Sequence, residues 1–135
     1  MHIYKVGGDV TEDASKIQLF KKLIDEDSGD KVLVVSAARG VTDKLINMTK
    51  ETDKEKVSSE LLTKHLKLAS ELKLDKDKIG PKLQTELQTI NDKNFDNVIS
   101  IGERLMAIIL TTYFNSNGSK FGFTTGYDAR ILVNR

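Results

Sequence analysis

The chain has 135 residues, enough for one domain with its own hydrophobic core. Its 21 Lys and Arg residues nearly balance its 20 Asp and Glu residues, so the sequence lacks the basic excess of a nucleic-acid-binding protein. The absence of Cys excludes disulfides and thiolate metal sites, and two His residues are too few for a histidine metal cluster, so we assign no metal-ligating residues. The sequence shows neither an apolar run of membrane-spanning length nor a signal-peptide pattern, which predicts a cytoplasmic protein with no membrane contact.

The first predicted strand ends in a lysine followed by two glycines. Residues 3–6 are Ile-Tyr-Lys-Val, and Gly7 and Gly8 follow directly. Two glycines permit a sharp turn whose bare amides can cradle an anion, with Lys5 adding a positive charge. A helix is predicted next, over about 13–27, with Thr11 or Asp13 as its N-cap. These features favour a phosphate site, although a plain tight turn beside a solvated lysine would give the same pattern.

The second predicted strand is the apolar run at residues 31–35. Such runs are typical of strands in a parallel sheet, so the first 35 residues predict a βαβ unit. A loop of small residues containing Ser36 and Thr42 follows, and then a helix over about 43–50. Because the carboxyl ends of parallel strands meet at one sheet edge, this loop should lie beside Gly7 and Gly8.

The middle of the chain predicts a charged helical hairpin, at about 55–95. A charged linker covers residues 50–57, and leucines at helical spacing indicate a helix over 58–73. Gly80-Pro81 is predicted to interrupt the chain before a second helix. We interpret His65 as one position on an amphipathic helix rather than as a metal ligand.

The last predicted elements are a buried helix over 103–114 and a strand over 119–124. Ser100 and Glu103 stand at the start of the helix with the spacing of a capping box, in which the serine caps the helix. The same Glu103 carboxylate would join a ligand site if the helix begins at the edge where the two loops lie.

Four segments together resemble the aspartokinases, within the amino-acid kinase family. Lys5-Val6-Gly7-Gly8 is similar to their N-terminal Lys-Phe-Gly-Gly, and residues 34–45, Val-Val-Ser-Ala-Ala-Arg-Gly-Val-Thr-Asp-Lys-Leu, are similar to their second loop. Residues 100–103, Ser-Ile-Gly-Glu, resemble a third block, and Asp128-Ala129-Arg130 resembles a later Asp-x-Arg. The segments occur in the family's order, and the resemblance covers essentially the whole chain.

The resemblance implies a fold and a reaction. The fold would be an α/β three-layer α/β/α sandwich around a mainly parallel sheet, with residues 1–135 forming the N-terminal, amino-acid-binding part of the kinase domain. The reaction would transfer the γ-phosphoryl group of ATP, with Mg²⁺, to the side-chain carboxylate of L-aspartate, which opens the route to lysine, threonine and methionine.

The resemblance also implies roles for individual residues. Lys5 would be catalytic, stabilising charge on the transferring phosphoryl group, and the amides near Gly7 and Gly8 would assist it. The hydroxyls of Ser36 and Thr42 would hold the amino-acid substrate, and Glu103 would meet its ammonium group. A general base is not needed, because the substrate carboxylate has no proton to lose at neutral pH.

One departure from the family lies beside the glycines. The family continues Gly-Gly with Thr-Ser, whereas this chain has Asp9 and Val10. A carboxylate facing phosphates is repelled unless Mg²⁺ intervenes or the side chain turns away. We therefore hypothesise that Asp9, if it belongs to the phosphate site, weakens nucleotide binding; an Asp9→Thr variant that bound nucleotide no more tightly would contradict this.

A second departure is that the chain ends where the family's nucleotide-binding half would begin. We interpret the 135 residues as a fragment that is inactive alone and that self-associates, since half a domain leaves a sheet edge and an apolar face uncovered. Two alternatives stay open. One is a sister kinase acting on another small acid, and the other is a non-catalytic binding or assembly subunit of a kinase complex.

Overall fold

The computed structural model describes residues 1–48 and 51–124, without the side chains of residues 51 and 52. These residues form two strands, six α-helices and one 3-10 turn. In chain order they are β1 His2–Val6, α1 Ala14–Glu26, β2 Lys31–Val35, α2 Val41–Ile46, α3 Glu51–Glu71, α4 Lys76–Leu87, the 3-10 turn Gln88–Asn91, α5 Phe95–Ile99 and α6 Ile101–Ser116.

The predicted βαβ unit is confirmed. β1 and β2 pair in parallel, in a register that runs from His2 opposite Lys31 to Val6 opposite Val35. α1 connects them and begins at Asp13, whose carboxylate accepts a hydrogen bond from the Lys16 amide at 2.9 Å. Asp13 is therefore the N-cap, and Thr11 has a different role in the turn before it.

The two faces of this small sheet differ sharply in burial. On one face the ring of Tyr4 meets Phe20 of α1 edge to face, and Phe20 in turn stacks on Phe114 of α6. On the other face Ile3, Val32 and Val34 remain 44–69% exposed. Alternation along the strands thus places the hydrophobic core on a single side of the sheet.

A carboxylate fastens the start of β1 to the end of α1. Asp27 accepts hydrogen bonds from the Tyr4 hydroxyl and from His2, both at 2.6 Å, and from the Gly29 amide at 2.9 Å. The hydrogen bond from Tyr4, followed by those from His2 and Gly29, lowers the pKa of Asp27 far below its ordinary value. Asp27 therefore stays ionised and holds the two elements together at neutral pH.

α6 is the central helix of the core, and the α3–α4 hairpin packs beside it. The buried side chains of α6 cover most of the circumference of this helix, as expected for a helix enclosed by other elements. They are Ile101, Leu105, Met106, Ile109, Leu110, Tyr113 and Phe114. In α4 the apolar residues Ile79, Leu83 and Leu87 face this core and are almost fully buried.

Two predictions about the hairpin are wrong. Residues 51–57 belong to α3 and not to a linker, and Gly80-Pro81 lies inside α4 and does not interrupt it. Proline costs a helix interior about 3 kcal/mol. Burial of Ile79 and Leu83 on either side offsets this cost, and Gly80 has no Cβ to clash with the proline ring.

Two other predictions need correction. α2 begins at Val41 rather than at 43, because the chain turns into it through Gly40, whose φ is +82°. Residues 119–124 do not form a strand. The Asn115 side chain donates to the Phe121 carbonyl and accepts from the Phe121 amide, at 2.9 and 2.7 Å, so it takes the place of a neighbouring strand. Asp128-Ala129-Arg130 lies outside the described residues.

Within the described part of the chain, no helix is long and apolar enough to cross a membrane.

His65 of α3 is buried, and its Nδ1 donates to the Leu61 carbonyl at 2.7 Å. Burial lowers the pKa of His65 below its ordinary value of 6.5, so the unfolded chain binds a proton that the folded chain rejects. The free energy of unfolding therefore has its full value above pH 6.5, and it decreases as the pH drops towards the pKa of His65 in the folded chain. We predict that denaturant unfolding shows a loss of up to about 1.4 kcal/mol per pH unit in this range, which His65→Leu abolishes.

The matched control is His2→Gln, which removes the surface histidine and should retain the loss. An equal slope in the His65→Leu variant and the unsubstituted chain would contradict the prediction.

Candidate active site

The glycine turn after β1 leaves two amides available. The Val10 and Thr11 amides both donate to the Gly7 carbonyl, at 3.1 and 3.2 Å, which closes the turn. The amides of Gly8 and Asp9 donate to no described residue. Free adjacent amides in a turn are suited to binding an anion.

Thr11 joins this turn to the loop after β2. Its side chain is fully buried, and its hydroxyl lies 3.2 Å from the carbonyl oxygen of Ala37 and 3.3 Å from that of Gly8. The Ser36 amide also donates to the Val6 carbonyl at 2.9 Å. The two loops therefore lie side by side at one sheet edge. The sequence pattern suggested Thr11 only as a helix cap and did not predict this connection.

Gly102 brings the start of α6 to the same place. A Cβ built on Gly102 would lie 2.7 Å from the Ala37 Cβ and 2.9 Å from a methyl group of Val41. Real Cβ atoms do not approach other atoms so closely, so only glycine allows this packing. Glu103, the next residue, therefore belongs to the first turn of α6, which packs against the loop that carries Ser36 and Thr42.

The polar side chains expected to bind ligands are without partners. Among the described residues, none forms a hydrogen bond or ion pair with the ammonium of Lys5 or with the hydroxyl of Ser36 or Thr42. Lys5 is exposed, whereas Ser36 and Thr42 are half-buried. Glu103 Oε2 is buried and has no hydrogen-bond donor. Such a group is costly to bury unless something supplies a donor, and a ligand ammonium would do so.

The capping-box interpretation of Ser100 is wrong. Its hydroxyl makes no cap bond to α6 and instead donates to the Asn97 carbonyl at 3.1 Å. Ser100 closes α5 and begins α6 with φ −85° and ψ 0°, so the serine is not extended as an N-cap requires. The Glu103 carboxylate is consequently not used in a capping box.

Asp9 turns to the second loop. Its carboxylate forms an ion pair with the Arg39 guanidinium, and both side chains are exposed to solvent. The ion pair directs the Asp9 carboxylate towards the second loop, as expected if the side chain turns away from a bound phosphate. The sequence pattern identified Asp9 as a departure but did not predict Arg39 as its partner.

Comparison with known proteins gives the family. The family model for the amino acid kinase family matches residues 1–134. The chain belongs to the amino acid kinase family.

Solved structures agree with this family in fold. The chain superposes on Clostridium acetobutylicum aspartate kinase with a TM-score of 0.70 at 24% identity, covering 85% of this chain and 29% of that one. It superposes on E. coli aspartokinase III, solved in complex with aspartate and ADP, with a TM-score of 0.65 at 12% identity, covering 87% of this chain and 29% of that one. Comparison with curated protein sequences found no match. The chain thus spans under a third of these two kinases.

Arg104 links the elements that meet at the start of α6. Arg104 forms an ion pair with Glu86 of α4 and a hydrogen bond with Ser100, and its Nη2 also donates to the Asn97 carbonyl at 2.7 Å. Four bonds from one guanidinium, the fourth to Thr89, connect α4, the 3-10 turn, α5 and α6. The backbone beside Glu103 is therefore fixed by contacts that the sequence pattern did not reveal.

The donor set suits an anion better than a cation. The amides of Gly8 and Asp9 and the Lys5 ammonium, which have no partner among the described residues, are donors of the kind that bind phosphate oxygens. Among residues 1–48 and 51–124, no three His, Cys, Asp or Glu side chains gather to hold a metal ion.

An open cleft of about 1510 Å³ borders β2 and α6. Of the expected site residues only Glu103 lines it, and Lys5, Gly7 and Gly8 do not. Its lining combines β2 and the apolar residues Leu110, Phe114 and Phe121 with polar side chains around α5 and the start of α6. Because the cleft contains so few of the expected residues, we take the convergence at Ala37 as the candidate active site.

We predict that Gly102→Ala forces α6 away from Ala37 and lowers the free energy of unfolding by about 1–3 kcal/mol, as overpacking does. Because Glu103 moves with the helix, binding of the amino-acid substrate should also weaken. Thermal unfolding and ligand titration measure the two effects. The control is Gly122→Ala, since a Cβ at Gly122 meets nothing within 4 Å; equal stability of the two variants would contradict the close packing.

Proposed function

We propose that the chain is the amino-acid-binding part of an aspartate kinase. The reaction transfers the γ-phosphoryl group of ATP to the side-chain carboxylate of L-aspartate and gives 4-phospho-L-aspartate. The observation that carries the proposal is the meeting of three segments at Ala37: the turn that follows Lys5, the loop that carries Ser36 and Thr42, and the start of α6, which carries Glu103. Among the described residues, Lys5 and the two hydroxyls have no partner, and Glu103 Oε2 is buried without one. A zwitterionic amino acid beside a phosphate chain uses all of these groups.

Each group has a distinct task in the proposed reaction. Lys5 and the amides of Gly8 and Asp9 offset the negative charge of the phosphoryl group, because phosphoryl transfer depends mainly on alignment and on positive charge. ATP, with Mg²⁺, supplies that group. Ser36 and Thr42 orient the substrate by hydrogen bonds. Glu103 accepts from its ammonium group, which directs the side-chain carboxylate towards the phosphoryl group.

Two further observations support aspartate and a longer functional unit. The related E. coli aspartokinase III was solved with aspartate and ADP, which makes aspartate the first substrate to test. This chain covers 29% of that kinase, so the activity is proposed for a protein that contains this chain together with the rest of a kinase domain. The apolar side chains of Ile3, Val32 and Val34 are exposed on one face of the sheet. We therefore continue to predict that the chain self-associates, which light scattering would measure.

The test uses a parent protein that joins residues 1–135 to the rest of a kinase domain. Trapping the acyl phosphate with hydroxylamine should show ATP-dependent turnover with aspartate and far less with glutamate. Glu103→Gln should raise the KM for aspartate about tenfold or more, because a hydrogen bond between charged groups is lost, while the KM for ATP changes little. The 135-residue chain alone should be inactive.

The control for Glu103→Gln is Glu60→Gln, which removes a half-exposed carboxylate of α3 that pairs with Lys44. Turnover with glutamate but not aspartate would favour a sister kinase. Binding of aspartate and nucleotide without turnover would favour a non-catalytic subunit, and parallel changes in both variants would refute the role of Glu103.

A further inference from the structure

Asp9 and Arg39 form a charged bridge between the two loops of the candidate site. Asp9 directly follows the glycine pair, where a carboxylate would oppose phosphate binding. Its ion pair with Arg39 joins the first loop to the second above the buried contact between Thr11 and Ala37. One bridge is thus buried and uncharged, and the other is exposed and charged.

We propose that Arg39 is a positioning residue, which holds the Asp9 carboxylate against the second loop and offsets its charge so that the glycine turn can accept a polyphosphate. This inference rests on the phosphate-binding role of that turn in the proposed function. It adds a residue whose task is to keep a neighbouring carboxylate from opposing the ligand.

The backbone of Arg39 is fixed in a way that suits this task. The Lys64 ammonium of α3 donates to the Arg39 carbonyl at 3.0 Å. The next residue, Gly40, has the positive φ that turns the chain into α2. Arg39 is therefore presented from an anchored turn, and its guanidinium reaches a carboxylate 30 residues earlier in the chain.

Among the described residues Asp9 forms its ion pair with Arg39, and a smaller electrostatic interaction links it to Lys16. Glu12 pairs with Lys16 at 2.9 Å, so these two groups largely satisfy each other. The pKa of Glu12 is lowered first by Lys16 and to a smaller extent by Arg39. Lys5 stays unpaired, so its charge remains available to a ligand.

The experiment titrates the 135-residue chain with inorganic tripolyphosphate and follows the Gly7 and Gly8 amides by NMR, in Mg²⁺-free buffer. We expect Arg39→Gln to weaken binding by about threefold to tenfold, because an uncompensated carboxylate then faces several phosphate charges. Asp9→Asn alone should change affinity by less than about twofold, because Arg39 already offsets most of the weakening that the sequence alone leads us to expect from Asp9. The double variant should regain most of the affinity lost in Arg39→Gln.

Recovery in the double variant separates positioning from direct contact. If Arg39 binds the phosphates itself, Arg39→Gln weakens binding equally with Asp9 or Asn at position 9, and that additivity overturns the proposal. A second titration with Mg²⁺ examines metal bridging: tighter binding by the unsubstituted chain that disappears in Asp9→Asn would show that Asp9 holds the ion, which also overturns it.

A matched control and a folding check complete the design. Lys44→Gln removes a cation from another partly exposed ion pair, with Glu60, and should leave tripolyphosphate affinity unchanged. Circular dichroism should be alike for all variants, because the substituted side chains are exposed. Absence of binding by the unsubstituted chain would overturn the phosphate role of the turn and this inference together, whereas binding that ignores Arg39→Gln would overturn this inference alone.

Discussion

The close approach of α6 to Ala37 is the constraint on which the rest of the structure depends. Without a side chain at Gly102, the helix can lie against the loop after β2, and the Thr11 hydroxyl reaches the Ala37 carbonyl from the other side. The contact serves folding, because it brings the most apolar helix to the sheet edge. The contact also matters for the candidate site. It brings the turn of α6 that carries Glu103 to the loop after β2, and no local sequence pattern connects these two segments.

Sequence patterns predicted the parts whose signals are local. The apolar run of β2, the Asp13 cap and the spacing in α6 each fix an element within a few residues, and all three are present. The loops after β1 and β2 were also expected to meet, because parallel strands place their carboxyl ends at one edge. The sequence therefore predicted which two loops meet, and the roles of the residues in them stay predictions.

The incorrect predictions concern features that depend on tertiary contacts. Pro81 is tolerated in α4 because burial of neighbouring side chains outweighs a local preference, and Ser100 is occupied by Arg104 and Asn97 instead of capping α6. Residues 119–124 have a β-like pattern, but Asn115 satisfies the Phe121 backbone in the described structure. The ion pair between Arg39 and Asp9 could not be predicted from the sequence, because no local pattern connects residues that lie 30 positions apart.

Two buried polar atoms of the described residues have no hydrogen-bond partner, and the free-energy cost of burying them is reduced in different ways in the core and at the candidate site. These atoms are His65 Nε2 and Glu103 Oε2. An imidazole can remain neutral, so His65 limits the cost by a lowered pKa. A carboxylate next to a ligand site has another solution, since a substrate ammonium can supply the missing donor. Under the proposed function, binding would remove an unfavourable free-energy contribution that the free protein already carries, and Glu103 would thereby favour a substrate that has an ammonium group.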